Sequence, residues 1–420
     1  MNRFALLGCV ALACLGWASH ADADVAISKG PYFLEVSQTE ARVMVESESP
    51  TSLTIRLGDD LTQTIETRPW RRDGRSIGNA MFRGLEPDTT YQVEVVSGSL
   101  AQSGSFRTAP PVESDLSFLV YGDNRTQHEV HRAVVEVMEQ EEGVRFLLHT
   151  GDMVEMGGRP RDWDAYFDIA REFLRHHPLF PSLGNHELYG PGGANNYARH
   201  FRPPLRNAAY YTSNYGPVRV IALDSNEEWD AASPQLAWLR ETLAQDTDAR
   251  FTFVVLHHAP LSSGPHGGHE GMQENGVVEM LRDAGVDLVF SGHDHMYERG
   301  DRDGYKYIVS GGGGAPLYYP NNRIEGQLAF VPAYHYLRVD LVGDEVQIAV
   351  IQPDGSHIED CAFHQGEAWR CAGGGSSGPI STEEAPINPR EMLWWAAGAG
   401  AVLAFGLGFW WWRRRRRRSK

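Results

Sequence analysis

Leu116-Ser117-Phe118-Leu119-Val120-Tyr121-Gly122-Asp123-Asn124-Arg125 is a short apolar run that stops on a glycine followed by a carboxylate. The pattern recurs. Val144–His149 leads to Gly151-Asp152, Phe251–Leu256 to His257-His258-Ala259-Pro260, and Val286–Phe290 to Gly292-His293-Asp294-His295, while Gly184-Asn185-His186-Glu187 forms a further loop. Apolar runs of this length bounded by turn residues read as buried strands. Val218–Leu223, Tyr307–Ser310, Leu337–Val342 and Val346–Ile351 extend the set, with helical stretches at Glu129–Glu141, Asp162–Arg175, Pro234–Gln245 and Asn275–Asp283. Strands alternating with helices predict a layered α/β domain over residues 114–360. In such domains ligands collect at loops leaving the carboxyl ends of the strands.

Those five loops carry Asp, Asn and His. Glycine lets the backbone turn sharply, so that the next side chain points into a shared cleft. Carboxylate, amide oxygen and neutral imidazole are donors that suit iron, manganese or zinc. One such fragment alone is ordinary turn or surface chemistry. Five in order, each after an apolar run, predict a metal site.

Residues 25–110 differ. Apolar residues alternate over Ala41–Glu46 and Tyr91–Val96 without a helical period, which predicts a small all-β domain, with Thr108–Pro111 as the linker after it. Residues 1–23 combine Arg3, the apolar stretch Phe4–Ala18 and the small-x-small site Ala21-Asp22-Ala23, and read as a secretory signal peptide. A lipoprotein reading at Cys9 is weaker, because little apolar sequence precedes it. Cys14 lies in the same segment, and the remaining two of the four cysteines, Cys361 and Cys371, predict one local disulfide in an exported chain. They open a tail and linker over 361–391, rich in Gly, Ser and Pro. Met392–Trp412 is uncharged over 21 residues, carries tryptophans at both ends and runs into Arg413–Arg418. That is enough to cross about 30 Å of hydrocarbon as one helix. The arginines place 413–420 in the cytoplasm as a basic tail and the body outside it, with membrane lipid as a partner.

The formal net charge is −17. Removing residues 1–23 and the seven bases of the last eight residues leaves a body near −24. An acidic body argues against nucleic acid as a partner, since phosphate backbones need a basic face. It is compatible with small phosphorylated substrates, because metal ions supply positive charge locally.

The series GD…GD…GNHE…HHAP…GHDHMYER resembles the signature of the calcineurin-like metallophosphoesterases. Its details are similar to the purple acid phosphatase branch: HMYER at 295–299, the glycine run after Tyr307-Ile308-Val309-Ser310, and the HYLRVDL…GDEVQIAVI…PDG ending. Leu85–Tyr91 also matches the fibronectin type III pattern L-x-P-x-T-x-Y, in which the tyrosine packs as a corner of a sandwich. The resemblance implies an α+β fold, a four-layer αββα sandwich with two metal ions, behind an all-β fibronectin-like sandwich and ahead of the C-terminal transmembrane helix. It implies one metal on Asn185, His258 and His293, another on Asp123 and His295, and Asp152 bridging, with His257 structural. His186 would protonate the leaving oxygen or bind phosphate, and His266 and His269 would face substrate. The chain departs from the pattern twice. Where most of the family has His two residues after the first Asp, it has Arg125; where the purple branch has Tyr three residues after the bridging Asp, it has Glu155. Glu155 is expected to replace the tyrosine as an oxygen ligand and Arg125 to contact phosphate, the alternative being that the two pair with each other. Either way no phenolate-to-iron colour is expected. The implied activity is hydrolysis of phosphate monoesters by metal-activated water. Alternatives are a phosphodiesterase or nucleotidase on the same site, or a non-catalytic surface binding protein.

Overall fold

A computed structural model of the chain describes residues 24–71, 74–201 and 209–372. The expected signal peptide at 1–23, the linker from 373, the apolar segment Met392–Trp412 and the basic tail lie outside the described residues. Among the described residues no helix is long and apolar enough to cross a membrane.

The apolar runs build two seven-stranded sheets. One has the spatial order Leu179–Pro181, Val144–His149, Leu116–Tyr121, Tyr336–Val342, Glu345–Ile351, His357–His364, Arg370–Ala372. The other runs Tyr211–Tyr215, Val218–Ala222, Phe251–His258, Leu288–Gly292, Tyr305–Ser310, Tyr297–Arg302, Gln327–Val331. Leu179–Pro181, Val144–His149 and Leu116–Tyr121 pair in parallel, as do Val218–Ala222, Phe251–His258, Leu288–Gly292 and Tyr305–Ser310, whereas Tyr211–Tyr215 and the later strands pair antiparallel.

Strand alternation decides what each side chain meets. Phe118, Val120, Phe146 and Leu148 face Phe253, Val255 and Phe290 between the sheets, with the Phe118 and Phe253 rings 5.5 Å apart. Leu119, Tyr121 and Leu147 turn outward and pack with Val134, Val135, Trp163 and Tyr166 of the helices His128–Met138 and Pro160–Ile169. Val254 and Leu256 turn outward with Leu236, Leu239, Val277 and Leu281 of the helices Pro234–Leu243 and Val277–Asp283. The result is the four-layer αββα arrangement. Burial on both faces is why these strands read as continuous apolar runs.

Some boundaries differ from expectation for local reasons. The single helix expected over Asp162–Arg175 is two, Pro160–Ile169 and Arg171–Leu174, and begins earlier because Pro160 is accommodated in a first turn. The helix expected from Asn275 starts at Val277, after Gly276 takes a left-handed φ of 68°.

Residues 27–107 form a sandwich of two four-stranded sheets. Phe33, Val43, Val45, Ile55, Val93, Val95 and Phe106 fill it. The Tyr91 hydroxyl accepts from the Glu86 amide at 2.9 Å, the contact expected of a tyrosine corner. Lys29 pairs with buried Glu46 and reaches Asp164 on the helix Pro160–Ile169 at 2.7 Å; Arg71 and Arg75 reach the same carboxylate at 2.9 Å. Tyr32 packs on Phe167, rings 5.0 Å apart, and Arg145 meets Asp88 at 2.5 Å. Cys361 and Cys371 form the expected disulfide, between neighbouring strands.

Candidate metal centre

Asp123, Asp152, Asn185 and the histidines come together where the strands end. Asp123, Asp152 and His293 each follow a glycine and take left-handed backbone angles, with φ of 54°, 54° and 70°. Non-glycine residues adopt this conformation at a cost, Asp, Asn and His least so. The turns bring the carboxylates against neighbouring backbone: the His293 amide donates to both Asp123 oxygens at 3.1 and 3.0 Å, and the His186 amide to Asp152 Oδ1 at 3.0 Å. A Cβ on Gly292 would lie 2.2 Å from Asp123 Oδ2, and one on Gly184 2.2 Å from Asp152 Oδ1. The glycine run at 311–314 braces the first turn: Gly313 N donates to Gly122 O at 2.9 Å and Ala315 N to Asp123 O at 2.7 Å.

The histidine pair differs from the reading by resemblance. Along Phe251–His258, Phe253 and Val255 face the inter-sheet core and Val254 and Leu256 face the helices, and a register shift between Val255 and His258 interrupts the alternation just before the two histidines. His257 is buried, and its Nδ1 lies 2.9 Å from the Thr150 carbonyl. A carbonyl only accepts, so Nδ1 carries the proton and Nε2 a lone pair. That Nε2 sits 2.9 Å from Asn185 Oδ1 and 3.3 Å from Asp152 Oδ1. Asn185 is oriented by its amide nitrogen, which donates to Tyr189 Oη at 2.9 Å. His258 turns Nδ1 to Ser225 Oγ at 2.7 Å. His257, rather than His258, therefore meets Asn185 and Asp152. His293 stays beside both, and donor atoms of all three histidines lie within 4.8 Å of one another. The register shift before His258 means that the two-residue period of the strand does not by itself separate the two.

A second group gathers Asp123, Asp152 and His295, again with donor atoms within 4.8 Å of one another. His295 donates Nδ1–H to the Pro316 carbonyl at 2.7 Å, and Tyr318 stacks on its ring at 4.1 Å. Into this half reaches Arg125, whose Nε lies 3.1 Å from Asp152 Oδ2, Nη2 3.3 Å from His295 Nε2 and Nη1 2.9 Å from Glu155 Oε2. Glu155 does not join the donor group; its Oε2 is taken by Arg125 and by the Thr126 hydroxyl at 2.8 Å.

Burial holds His257, His258, His293 and His295 below their ordinary range, so all four are neutral and offer lone pairs. Burial and the charge of Asp152 push Asp123 well above the usual carboxylate range, with Arg125 and the His293 amide opposing. Burial opposes ionisation of Asp152 too, but the charge of Arg125 and the hydrogen bond from the His186 amide hold that group low.

Of the expected substrate-facing groups, His186 lies at the site with Nδ1 donating to the Glu155 carbonyl at 2.7 Å and Nε2 3.9 Å from Asp152 Oδ2. His266 is exposed, its ring 4.2 Å from that of His293. His269 is engaged elsewhere: Nδ1 accepts from the Met272 amide at 3.3 Å, capping the helix Glu270–Glu274, and the side chain also bonds the Ser225 backbone. Two further residues matter that the motifs alone did not single out, Tyr318 and Glu187. Buried Glu187 accepts from the amides of Asp152, Val154 and Gly184 at 2.9, 3.2 and 2.8 Å and so ties two ligand loops together. Its place at the end of the GNHE run was the available signal.

The donor chemistry fits a transition metal on the first half. His257 Nε2, Asn185 Oδ1 and Asp152 Oδ1 are acceptors that face one another at hydrogen-bond distance without a proton to share, which calls for a cation among them. In the second half the lone pairs of His295 and Asp152 are already met by Arg125.

Comparison with known proteins agrees with this geometry. Residues 116–297 match the family model of the calcineurin-like phosphoesterases. The chain is 29% identical over 264 residues to a probable purple acid phosphatase of Arabidopsis thaliana, covering 57% of this chain and 60% of that one. It is 26% identical over 265 residues to a phosphoenolpyruvate phosphatase of Allium cepa, covering 57% and 54%. The matches thus span little more than half the length of these relatives. In fold it resembles a purple acid phosphatase from yellow lupin (Lupinus luteus) seeds, with a TM-score of 0.69 at 16% identity over 84% of this chain and 77% of that one. A structure of PhoD gives a TM-score of 0.66 at 13% identity over 84% and 92%. Residues 116–297 thus carry a calcineurin-like phosphoesterase domain, and over a little more than half its length the chain is similar to purple acid phosphatases.

Proposed function

We propose that the chain is a metal-dependent hydrolase of small phosphate esters, with monoesters as its preferred class. The observation that carries this reading is the convergence of His257 Nε2 on Asn185 Oδ1 and Asp152 Oδ1, beside His293. These four residues would hold the metal, with iron, manganese or zinc compatible with the donor set. When bound, such an ion lowers the pKa of a coordinated water and polarises the phosphoryl oxygens. The chain's own groups do the rest. His186, fixed through Nδ1–H by the Glu155 carbonyl, presents Nε2 to the cleft and, in its doubly protonated imidazolium form, would hand the Nε2 proton to the leaving oxygen and return to the neutral ring. Arg125, held by Asp152, Glu155, Thr126 and His295, keeps one Nη2–H that would meet a phosphoryl oxygen. His266 borders a polar cleft of about 410 Å³ that also contains Gln273, Arg302 and Asn321, suited to a polar leaving group.

The doubly charged phosphate of a monoester would be favoured over a diester by Arg125 and His186 beside the metal. The test is a panel pairing p-nitrophenyl phosphate with bis-p-nitrophenyl phosphate on protein reconstituted with each metal. Preference for the monoester is expected; preference for the diester would turn the reading to a phosphodiesterase. The same reading puts the body outside the cytoplasm, supported by the signal-like residues 1–23, the apolar Met392–Trp412 and the disulfide. Fractionation tests it: full-length protein should resist salt extraction from membranes.

A further inference from the structure

Arg125 and Glu155 are the two positions at which the ligand motifs of this chain depart from the pattern they otherwise follow, and they face each other across the Asp123–His295 half of the site. We propose that the Arg125 guanidinium is the second cation of this centre, so that the chain binds one metal ion where its resemblance implies two. The inference rests on the metal reading above and specifies its stoichiometry.

A neutral imidazole whose Nδ1 carries the proton has a single acceptor position, at Nε2. For His295 the Nδ1 proton goes to the Pro316 carbonyl at 2.7 Å, and Nε2 lies 3.3 Å from Arg125 Nη2. A metal ion on His295 would need that same lone pair. Asp152 divides its oxygens in the same way: Oδ1 lies with the His257–Asn185 pole, whereas Oδ2 lies 3.1 Å from Arg125 Nε. The guanidinium therefore sits between the donors that a second ion would use. It is also held from behind. Nη1 is fixed by Glu155 at 2.9 Å and by the Thr126 hydroxyl at 3.3 Å, and Thr126 itself donates to Glu155 at 2.8 Å. With the side chain only 12% exposed, the fork is bound on three sides.

Charge agrees with occupancy by a permanent monocation. Two close carboxylates need one shared positive charge between the poles, and a guanidinium provides it without deprotonating under any ordinary condition. The remaining Nη2–H would be left to meet a single phosphoryl oxygen on the side opposite the metal. Phosphate would then lie between one ion and one arginine.

The experiment counts metal directly. Full-length protein, stripped with chelator and reloaded with Mn²⁺, is freed of excess ion and analysed for manganese by mass spectrometry and for coupling by electron paramagnetic resonance. The expected wild-type result is one ion per chain with an uncoupled six-line spectrum. Arg125→Ala and the closer isostere Arg125→Gln should each take a second ion and show an exchange-coupled spectrum. Two tightly bound ions in the wild type would overturn the assignment of Arg125 while leaving the metal-dependent reading intact. One ion in the wild type and in both variants would also overturn it, since the guanidinium would not be what excludes the second. No bound ion in the wild type would refute the metal reading itself. The wild-type count stands whether or not a variant folds.

Discussion

His257 donates its Nδ1 proton to the carbonyl of Thr150 across 2.9 Å, and that one hydrogen bond fixes which nitrogen of the buried ring faces Asn185 and Asp152. Backbone partners of this kind fix the tautomer and aim of histidines at metal sites. His257→Ala should therefore lower metal affinity by more than about 100-fold, and His258→Ala by about 10-fold or less. Titration of the stripped proteins with Zn²⁺ by calorimetry checks the order. Equal losses, or a larger loss at His258, would return the ligand role to His258.

Asp152 contributes to both halves of the centre, with one oxygen toward His257 and the other toward Arg125. Asp152→Asn removes the charge that both depend on. Bound metal should fall together with turnover, the latter by about 10²–10³-fold or more, the scale of losing a transition-state electrostatic group. Metal analysis alongside kcat measurement checks it; a variant with full metal and near-normal turnover would remove Asp152 from its central place.

Gly184 leaves no room for a side chain, because a Cβ there would meet Asp152 Oδ1 at 2.2 Å, Asp152 N at 2.3 Å and Glu187 Oε2 at 2.6 Å. Gly184→Ala is expected to destabilise the fold by about 1–3 kcal/mol through overpacking and to displace the Asp152 loop. Metal affinity should drop at temperatures where the fold is intact. Circular dichroism melts set beside metal titration separate the two effects.

Acid should weaken the fold through histidines buried as neutral rings. Burial pushes His335 and His177 down to about 4 from 6.5. The unfolded chain therefore binds more protons between those values, so the stability these groups contribute is whole above about pH 6.5 and is lost as pH falls toward 4. Asp287, pushed up to about 6 by burial, acts in the opposite direction, since its contribution is whole at low pH and lost as pH rises through 6. Two groups outweigh one. His335→Gln should reduce the loss between about pH 7 and about pH 5 by roughly 2 kcal/mol, read from denaturant curves at each pH.

The layered domain could be read from sequence because its strands are buried on both faces. Leu116–Tyr121 and Val144–His149 match the structure residue for residue. Strands at the sheet edges gave no such signal. His357–His364, with exposed and buried residues mixed and three charged or polar positions outward, and Tyr211–Tyr215, which alternates against solvent, were not anticipated. At the site, the loop residues were legible because glycine and ligand sit side by side. His257 was not, because adjacent histidines are indistinguishable until the strand's facing is known. The Arg125–Glu155 contact was open in the sequence only as the alternative to ligation by Glu155, because it spans 30 residues and depends on how two loops meet.

Lys29 is buried against Glu46 and Asp164, and Glu46 is itself wholly buried, accepting also from Trp70 Nε1 at 2.7 Å. Removing one partner of a buried pair leaves an uncompensated charge. Lys29→Ala should cost about 3 kcal/mol or more, and Lys29→Arg part of that, in equilibrium unfolding. A change below about 0.5 kcal/mol would show the cluster to be solvated in practice.

Left-handed backbone at Asp123, Asp152 and His293 bears on any attempt to retune this centre for another metal. Only glycine, which donates nothing, and Asp, Asn and His adopt that conformation readily. Softer or longer donors such as Cys or Glu at these three places would strain their own turns before meeting an ion. Metal preference is open to redesign where the backbone is not left-handed, at Asn185 with its φ of −74° and at His257, so the donor repertoire of the centre is narrowed by loop geometry as much as by the ion it serves.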